Sequence, residues 1–208
     1  MSGLGRLIAL EGVDGCGKST QALRLARAIG ALSTAEPGAT QLGATLRTLL
    51  LDPELPPVSE RAEALLMAAD RAQHVDEVIR PALEAGRWVV TERFSGSTLA
   101  YQGYGRGLDL DELRRLVLWA TGGIEPDLTI LLDVSPSLAR GRRDLERADR
   151  LERLDAGFHG RVRDGYRALA EADADTWVVV DAGADVEVVA QQLLAVVRGR
   201  LGPLPIVR

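Results

Sequence analysis

The sequence is poor in cysteine, in aromatic residues and in long apolar runs. One cysteine, Cys16, stands among 208 residues, so no disulfide can form within the chain and a reducing compartment is expected. No run approaches the roughly 18 apolar residues of a membrane-spanning helix, and the N-terminus lacks the layout of a signal peptide. These absences predict a cytoplasmic protein without a membrane partner.

A surplus of basic residues is also missing. The formal net charge is −5, from 25 Lys and Arg against 30 Asp and Glu. Because no overall positive field would attract nucleic acid, we expect no nucleic-acid partner. Any anionic ligand must then be held by arginines that cluster locally. The length and the 46% apolar content suit one globular domain over residues 1–208.

What the sequence does contain is a complete phosphate-binding loop pattern, G-x-x-x-x-G-K-[ST], at residues 12–19. The pattern lies between a predicted strand at 6–11 and a predicted helix at 18–31, where backbone N–H groups and a helix N-terminus attract phosphate. Lys18 is expected to reach the outer phosphates, and the Ser19 hydroxyl to ligate Mg²⁺. The predicted ATP site consists of Gly12, Val13, Asp14, Gly15, Cys16, Gly17, Lys18, Ser19 and Thr20.

Strands and helices alternate along the rest of the chain. The further strands are predicted at 31–34, 87–91, 127–134 and 177–181, and the further helices at 41–51, 59–85, 95–101, 109–121, 137–150, 157–171 and 185–198. Such alternation predicts an α/β fold of three layers, in which helices flank a parallel five-stranded sheet. Ligands of such folds bind at the carboxyl edge of the sheet.

Two arginines are candidates for a second phosphate site. Arg93 directly follows the third predicted strand, so it lies at the active edge and can clamp a phosphoryl group. Arg71 follows Met67 by four residues on one helix face, and an apolar side chain beside a cation suits a ligand with a base and a phosphate. A surface arginine paired with Asp70 or Glu77 is the alternative for Arg71, and the sequence leaves both open.

A dense set of arginines follows the fourth predicted strand. Arg140, Arg143, Arg147 and Arg150 are spaced three, four and three apart, which places them in one stripe on a helix. We interpret residues 137–152 approximately as a lid that closes arginines over the transferring phosphates. A solvated helix face with neighbouring acids is the alternative. Asp133, at the strand end, is expected to hold Mg²⁺ or its water shell.

Motifs spread over nearly the whole chain resemble those of the thymidylate kinase family. The matching segments are 10–20, 36–38, 69–74, 97–105, 126–128, 131–134 and 149–152. The resemblance implies a P-loop kinase fold with a lid, and ATP-dependent phosphorylation of thymidine monophosphate (dTMP) to the diphosphate (dTDP) in dTTP biosynthesis. It also implies Mg²⁺ as the cofactor, ATP and dTMP as substrates, and a homodimer built by helices of each subunit.

The resemblance further assigns roles to individual residues. The dTMP site would consist of Glu36, Pro37, Met67, Arg71, Arg93, Thr98, Tyr101 and Gln102, with Arg71 and Arg93 on the acceptor phosphate. The catalytic set would be Lys18, Arg93, Arg143, Arg147 and Asp14, and the metal would contact Ser19, Asp14 and Glu152. Gly15 stands where one branch of the family has arginine, so the chain resembles the branch whose lid supplies the catalytic arginine.

Four residues depart from the family pattern. Met67 replaces a phenylalanine that stacks on thymine, Glu92 replaces aspartate, Ala35 replaces arginine and Ala39 replaces glycine. These departures affect acceptor binding more than the class of reaction. The alternatives are a kinase for another deoxynucleoside or nucleoside monophosphate, and a non-catalytic P-loop protein that only binds nucleotide.

Overall fold

Five parallel strands form the single sheet of the computed structural model, which describes residues 5–142 and 148–205. The strands run in the spatial order β2-β3-β1-β4-β5. Their bounds are β1 Leu7–Glu11, β2 Leu32–Ala35, β3 Val89–Glu92, β4 Leu128–Asp133 and β5 Trp177–Asp181. All five predicted strands are confirmed, with ends shifted by at most two residues.

The central strand β1 is buried along its whole length. Its side chains alternate between two faces, so Ile8 and Leu10 pack in one apolar cluster while Leu7 and Ala9 pack in another. A strand that is covered on both faces has a nearly continuous apolar sequence, as β1 does. The predicted three-layer α/β fold is therefore confirmed.

Helices connect the strands. Their bounds are α1 Lys18–Ile29, α2 Gln41–Leu51, α3 Glu60–His74, α4 Arg80–Glu84, α5 Ser95–Thr98, α6 Leu110–Thr121, α7 Pro136–Gly141, α8 Ala156–Ala172 and α9 Val186–Leu201. No helix in the described part of the chain is both long and apolar enough to cross a membrane.

Two predicted helices contain π-helical turns. The helix predicted at 59–85 consists of α3, a π-helical segment Val75–Ile79 and α4. Pro81 lies in the first turn of α4 and has no N–H to donate, so the register changes just before it. The helix predicted at 95–101 begins as α5 and continues as a π-helical segment, Leu99–Gly105.

The helix predicted at 137–150 is wrong in its extent. Helix α7 ends at Gly141, and residues 148–150 are not helical. Arg150 instead packs beside the end of α2, where its Nη2 donates to the carbonyls of Asp52 and Leu55 at 2.7 and 3.0 Å. Arg140 and Arg150 therefore do not share one helix stripe, and Arg143 and Arg147 lie outside the described residues.

Candidate functional site

The phosphate-binding loop joins β1 to α1 at the carboxyl edge of the sheet. Gly12, Gly15 and Gly17 all have positive φ. A Cβ on Gly12 would lie 2.7 Å from the carbonyl oxygen of Leu132 on β4, so the sheet leaves no space for a side chain there. Gly17 caps α1 without any side-chain hydrogen bond, and the first N–H groups of the helix stay available to an anion.

Lys18 is held inside this loop. The side chain is 4% exposed, and its Nζ donates to the Val13 carbonyl at 2.9 Å. The same Nζ lies 3.8 Å from a carboxylate oxygen of Asp14. These partners hold the ammonium group within the loop, and its contact with the outer phosphates stays a prediction.

A cavity of about 630 Å³ opens beside the loop. This volume falls in the range of small-molecule sites. The predicted site residues that line the cavity are Asp14, Gly15, Cys16, Gly17, Lys18, Ser19, Thr20, Glu36, Pro37, Met67, Arg71, Arg93, Thr98, Tyr101, Gln102 and Glu152. Of the other predicted residues, Gly12 and Val13 belong to the loop backbone but do not line this cavity. The cavity thus joins the predicted ATP site and the predicted acceptor site.

Arg93 lines the cavity between the phosphate-binding loop and α5. Its φ of 66° turns the chain sharply after β3. Its guanidinium forms an ion pair with Asp14 and also donates to the hydroxyls of Ser97, Tyr101 and Tyr166 at 3.1 to 3.2 Å. Burial alone would lower the pKa of Arg93, but the charge of Asp14 outweighs it and raises the pKa well above the ordinary value. The guanidinium is therefore a fixed, fully charged group.

Asp14 is fixed from both sides. One carboxylate oxygen pairs with Arg93, and the other accepts a 2.7 Å hydrogen bond from the Tyr101 hydroxyl. Burial would raise the pKa of Asp14, but the charges of Arg93 and Lys18 hold it well below its usual range. Burial raises the pKa of Tyr101 well above its ordinary value, so the phenol keeps the proton that it donates.

Glu11 anchors the segment that follows Arg93. It is fully buried at the end of β1 and accepts from the backbone N–H groups of Phe94 and Ser97 at 2.9 and 3.0 Å. The hydroxyls of Ser97 and Tyr166 also donate to it, at 2.6 and 3.0 Å. Burial raises the pKa of Glu11 despite these bonds. The start of α5, and with it Arg93, is thereby tied to the central strand.

Arg71 is not a surface arginine. It is 2% exposed, and its guanidinium donates to Glu36 at 2.8 Å, to the Thr98 hydroxyl at 2.8 Å and to the Phe94 carbonyl at 2.9 Å. Glu36 is shared with the buried ring of His74, at 2.8 Å. The alternative pairing of Arg71 with Asp70 or Glu77 is therefore wrong, and Arg71 lines the cavity beside Thr98.

Asp133 does not lie in the cavity. Its two carboxylate oxygens accept from Arg163 at 2.8 and 2.9 Å, and Arg167 lies 3.2 Å from one of them. The expectation that it holds Mg²⁺ is not supported, because these arginines on α8 already use its oxygens. Asp149 and Glu152 do line the cavity, and Asp149 accepts from the N–H groups of Leu151 and Glu152.

Several residues of this site were missed by sequence reasoning. Tyr166 carries no local signal, since it lies on α8 more than 60 residues beyond the segment that it contacts. Glu11 and Ser97 belong to segments that resemble the family but received no role. Arg142, which also lines the cavity, donates to the Ala182 carbonyl at 2.9 Å, and only the folded chain brings these two together.

The phosphate-binding loop lies at the carboxyl edge of a parallel 2-3-1-4-5 sheet and opens into a cavity that Arg71 and Arg93 also line. This arrangement defines a P-loop nucleotide-binding protein of the α/β class. The sequence model of the thymidylate kinase family matches residues 10–193. The chain belongs to this family.

Individual relatives agree with that assignment. The chain is 49% identical to a thymidylate kinase of Synechococcus sp. (strain CC9902), over 95% of this chain and 99% of the relative. It is 46% identical to one of Solidesulfovibrio magneticus, over 91% and 97% of the two chains. A crystal structure of thymidylate kinase from Ehrlichia chaffeensis superposes with a TM-score of 0.76 at 28% identity, covering 93% of this chain and 98% of that one.

Proposed function

We propose that this single-domain chain transfers the terminal phosphoryl group of ATP to dTMP, which yields ADP and dTDP. The observation that carries the proposal is the position of Arg93, paired with Asp14 of the phosphate-binding loop inside a cavity that also reaches Arg71. One cavity therefore presents fixed positive charge to two phosphate groups. Family membership supplies the identity of the substrates.

The reaction needs charge and alignment rather than a strong base. The attacking atom is an oxygen of the dTMP phosphate, which is already anionic, so no proton has to be removed from it. Lys18 and Arg93 would neutralise the repulsion between the two phosphates and hold them in line. The loop N–H groups would bind the β and γ phosphates of ATP.

Arg143 and Arg147 are proposed to complete this charge from the lid. Gly15 stands where one branch of the family has arginine, so the phosphate-binding loop supplies no arginine at this position. The chain is therefore proposed to belong to the branch with a catalytic lid arginine. Arginines of this kind contribute ~10³–10⁵ in rate.

Oxygen donors suited to Mg²⁺ lie on the ATP side of the cavity. Ser19, in the first turn of α1, and Glu152 both line it, as does Asp14. Mg²⁺ prefers such oxygen ligands and commonly keeps bound water and nucleotide phosphates in its shell. We propose that Ser19 and Glu152 hold the ion. Asp14, whose oxygens accept from Arg93 and Tyr101, would act beside it. When bound, Mg²⁺ would neutralise charge on the β and γ phosphates.

The acceptor side of the cavity suits a pyrimidine deoxynucleotide. Met67 offers an apolar surface for the base, and Thr98 and Gln102 offer polar groups for its edge. Tyr101 would lie against the sugar, where its ring also packs under the Arg93 guanidinium at 5.0 Å. Glu36 and Pro37 also line this cavity. Glu36 contributes mainly by holding Arg71 in place.

A homodimer is part of the proposal. Leu65 on α3 and Leu118 and Trp119 on α6 are 59%, 53% and 83% exposed. Helix α3 packs against α6, and we propose that these exposed side chains form one apolar face. Large exposed apolar patches mark interfaces. Sedimentation of the wild type should show a dimer, Trp119→Glu should shift it to monomer, and Leu23→Glu on α1 should leave it unchanged.

The function is tested by measuring ADP release with dTMP, dUMP, dCMP, dGMP and thymidine as acceptors. We expect dTMP to give the highest kcat/KM and thymidine to give no turnover. If the protein phosphorylates thymidine but not dTMP, the alternative of a deoxynucleoside kinase would be favoured. Tight ATP binding with no turnover of any acceptor would favour a non-catalytic nucleotide-binding protein. A cytoplasmic location belongs to the same proposal.

A further inference from the structure

Glu63 is a buried carboxylate on α3 that sequence patterns did not single out. The residue is 2% exposed, and one of its oxygens accepts from Gln102 Nε2 at 2.9 Å and from Arg106 Nε at 3.2 Å. Its other oxygen accepts from Arg106 Nη2 at 2.8 Å. Opposite a guanidinium, Glu63 is a carboxylate and can only accept hydrogen bonds. The amide of Gln102 must therefore turn its nitrogen toward Glu63 and its oxygen away from it.

The amide oxygen of Gln102 faces the cavity. Gln102 lines the cavity, and no hydrogen bond between described residues engages its Oε1. Gln102 is 1% exposed and Glu63 engages its nitrogen, so the oxygen is the polar atom of this amide that is left for a ligand in the cavity. Glu63 thus fixes which end of the amide a bound ligand meets.

A hydrogen-bond donor lies on the same helix as this acceptor. Thr98 precedes Gln102 by four residues on the continuous helix formed by α5 and the segment Leu99–Gly105. The Thr98 oxygen accepts from Arg71 Nη1 at 2.8 Å, so its own proton remains available to donate. The wall of the cavity therefore presents a donor from Thr98 next to an acceptor from Gln102.

We propose that Glu63 is a positioning residue that makes the site select 4-oxo over 4-amino pyrimidine nucleotides. Thymine and uracil carry the O4 acceptor next to the N3–H donor, which complements a donor beside an acceptor. Cytosine carries an amino donor next to the N3 acceptor and opposes both groups. The inference rests on the proposed function and adds the residue that sets the polarity of Gln102.

The test compares kcat/KM for dTMP and dCMP in the wild type and in Glu63→Gln. A glutamine at 63 can donate to Gln102 Oε1, so the amide of Gln102 can turn its NH₂ toward the base. We expect the ratio of kcat/KM for dTMP to kcat/KM for dCMP to fall about tenfold or more, mainly because KM for dTMP rises. Mismatched buried polar groups account for discrimination of at least this order. KM for ATP should stay at the wild-type value. Glu60→Gln, exposed on the same helix, is the matched control and should keep the wild-type ratio.

A double-mutant cycle separates positioning from a merely structural role. If Glu63 acts through Gln102, Glu63→Gln should leave the ratio unchanged in a Gln102→Ala background. The inference is overturned if Glu63→Gln alone leaves the ratio of kcat/KM values unchanged. It is also overturned if Glu63→Gln lowers this ratio equally in the wild-type and Gln102→Ala backgrounds. Should Glu63→Gln fail to fold, Glu63→Asp, which keeps the charge opposite Arg106 but withdraws the acceptor, must lower the ratio instead. A wild type that turns over neither nucleotide overturns the proposed function as well.

Discussion

Arg93 and Asp14 form an ion pair that connects the residue after β3 to the phosphate-binding loop. Neither partner is free to turn, because Tyr101 donates to Asp14 while Arg93 also donates to Ser97 and Tyr166. The segment that follows β3 and the phosphate-binding loop are therefore held together before any ligand binds. Such preorganisation favours phosphoryl transfer, since charge need not be rearranged during the reaction.

The first prediction concerns the stability that this pair contributes. Asp14→Asn removes the directly paired countercharge of the buried Arg93 guanidinium, so the free energy of unfolding at neutral pH should fall by about 3 kcal/mol. Because the pKa of Asp14 is lower in the folded than in the unfolded chain, its stabilisation is complete above the unfolded value of 3.8 and is lost as the pH falls below it. Urea unfolding should show the difference between the wild type and the variant shrinking below that pH.

The matched control is Asp111→Asn, at the exposed start of α6. This variant removes a surface ion pair and should change the free energy of unfolding by less than about 1 kcal/mol. A loss in Asp14→Asn no larger than in this control would show that the pair with Arg93 does not stabilise the fold.

The second prediction concerns the apolar surface for the base. Met67→Phe should lower KM for dTMP with little change in kcat, because stacking on the base acts equally on the ground state and the transition state. The gain should be about 0.5–1.5 kcal/mol. Steady-state kinetics with dTMP at saturating ATP measures it. A KM that is unchanged or raised would mean that Met67 does not contact the base.

The third prediction concerns the lid. Arg143→Ala and Arg147→Ala should each lower kcat far more than they raise KM for either substrate, which is the pattern of a contact made mainly in the transition state. Arg150→Ala is the control, because Arg150 donates to carbonyls of the loop after α2. It should cost stability rather than kcat. If both variants keep the wild-type kcat, Arg143 and Arg147 are not catalytic, and the positive charge at the transferring phosphoryl group would come from Lys18 and Arg93 alone.

Local sequence patterns were enough to predict the strands, the phosphate-binding loop and the three-layer fold. Residues 12–19 specify their own turn, and buried strands such as β1 read as apolar runs. The length of α7 was overestimated because the arginine spacing suggests a continuous helix, whereas Arg150 is held instead by carbonyls of Asp52 and Leu55. The spacing of residues along the sequence does not predict contacts between residues that are distant in the chain.

The partners inside the site were predicted less well for the same reason. Asp133 looked available for a metal, yet Arg163, 30 residues later, uses both of its oxygens. The side chains of Glu63 and Tyr166 form hydrogen bonds with residues that are distant in the chain. Residue type and position at a strand end predicted Arg93, because the carboxyl edge of a parallel sheet collects such side chains.

The most direct measurement of the central claim is the formation of dTDP from ATP and dTMP by the wild type and by Lys18→Ala. The wild type should form dTDP and ADP in equal amounts. Circular dichroism should show that the variant keeps its fold. Its rate of dTDP formation should be less than about a tenth of the wild-type rate, since losing a charge contact to the transferring group raises the activation free energy by at least ~1.4 kcal/mol. No dTDP from the wild type, or a wild-type rate from a folded Lys18→Ala variant, would contradict the account.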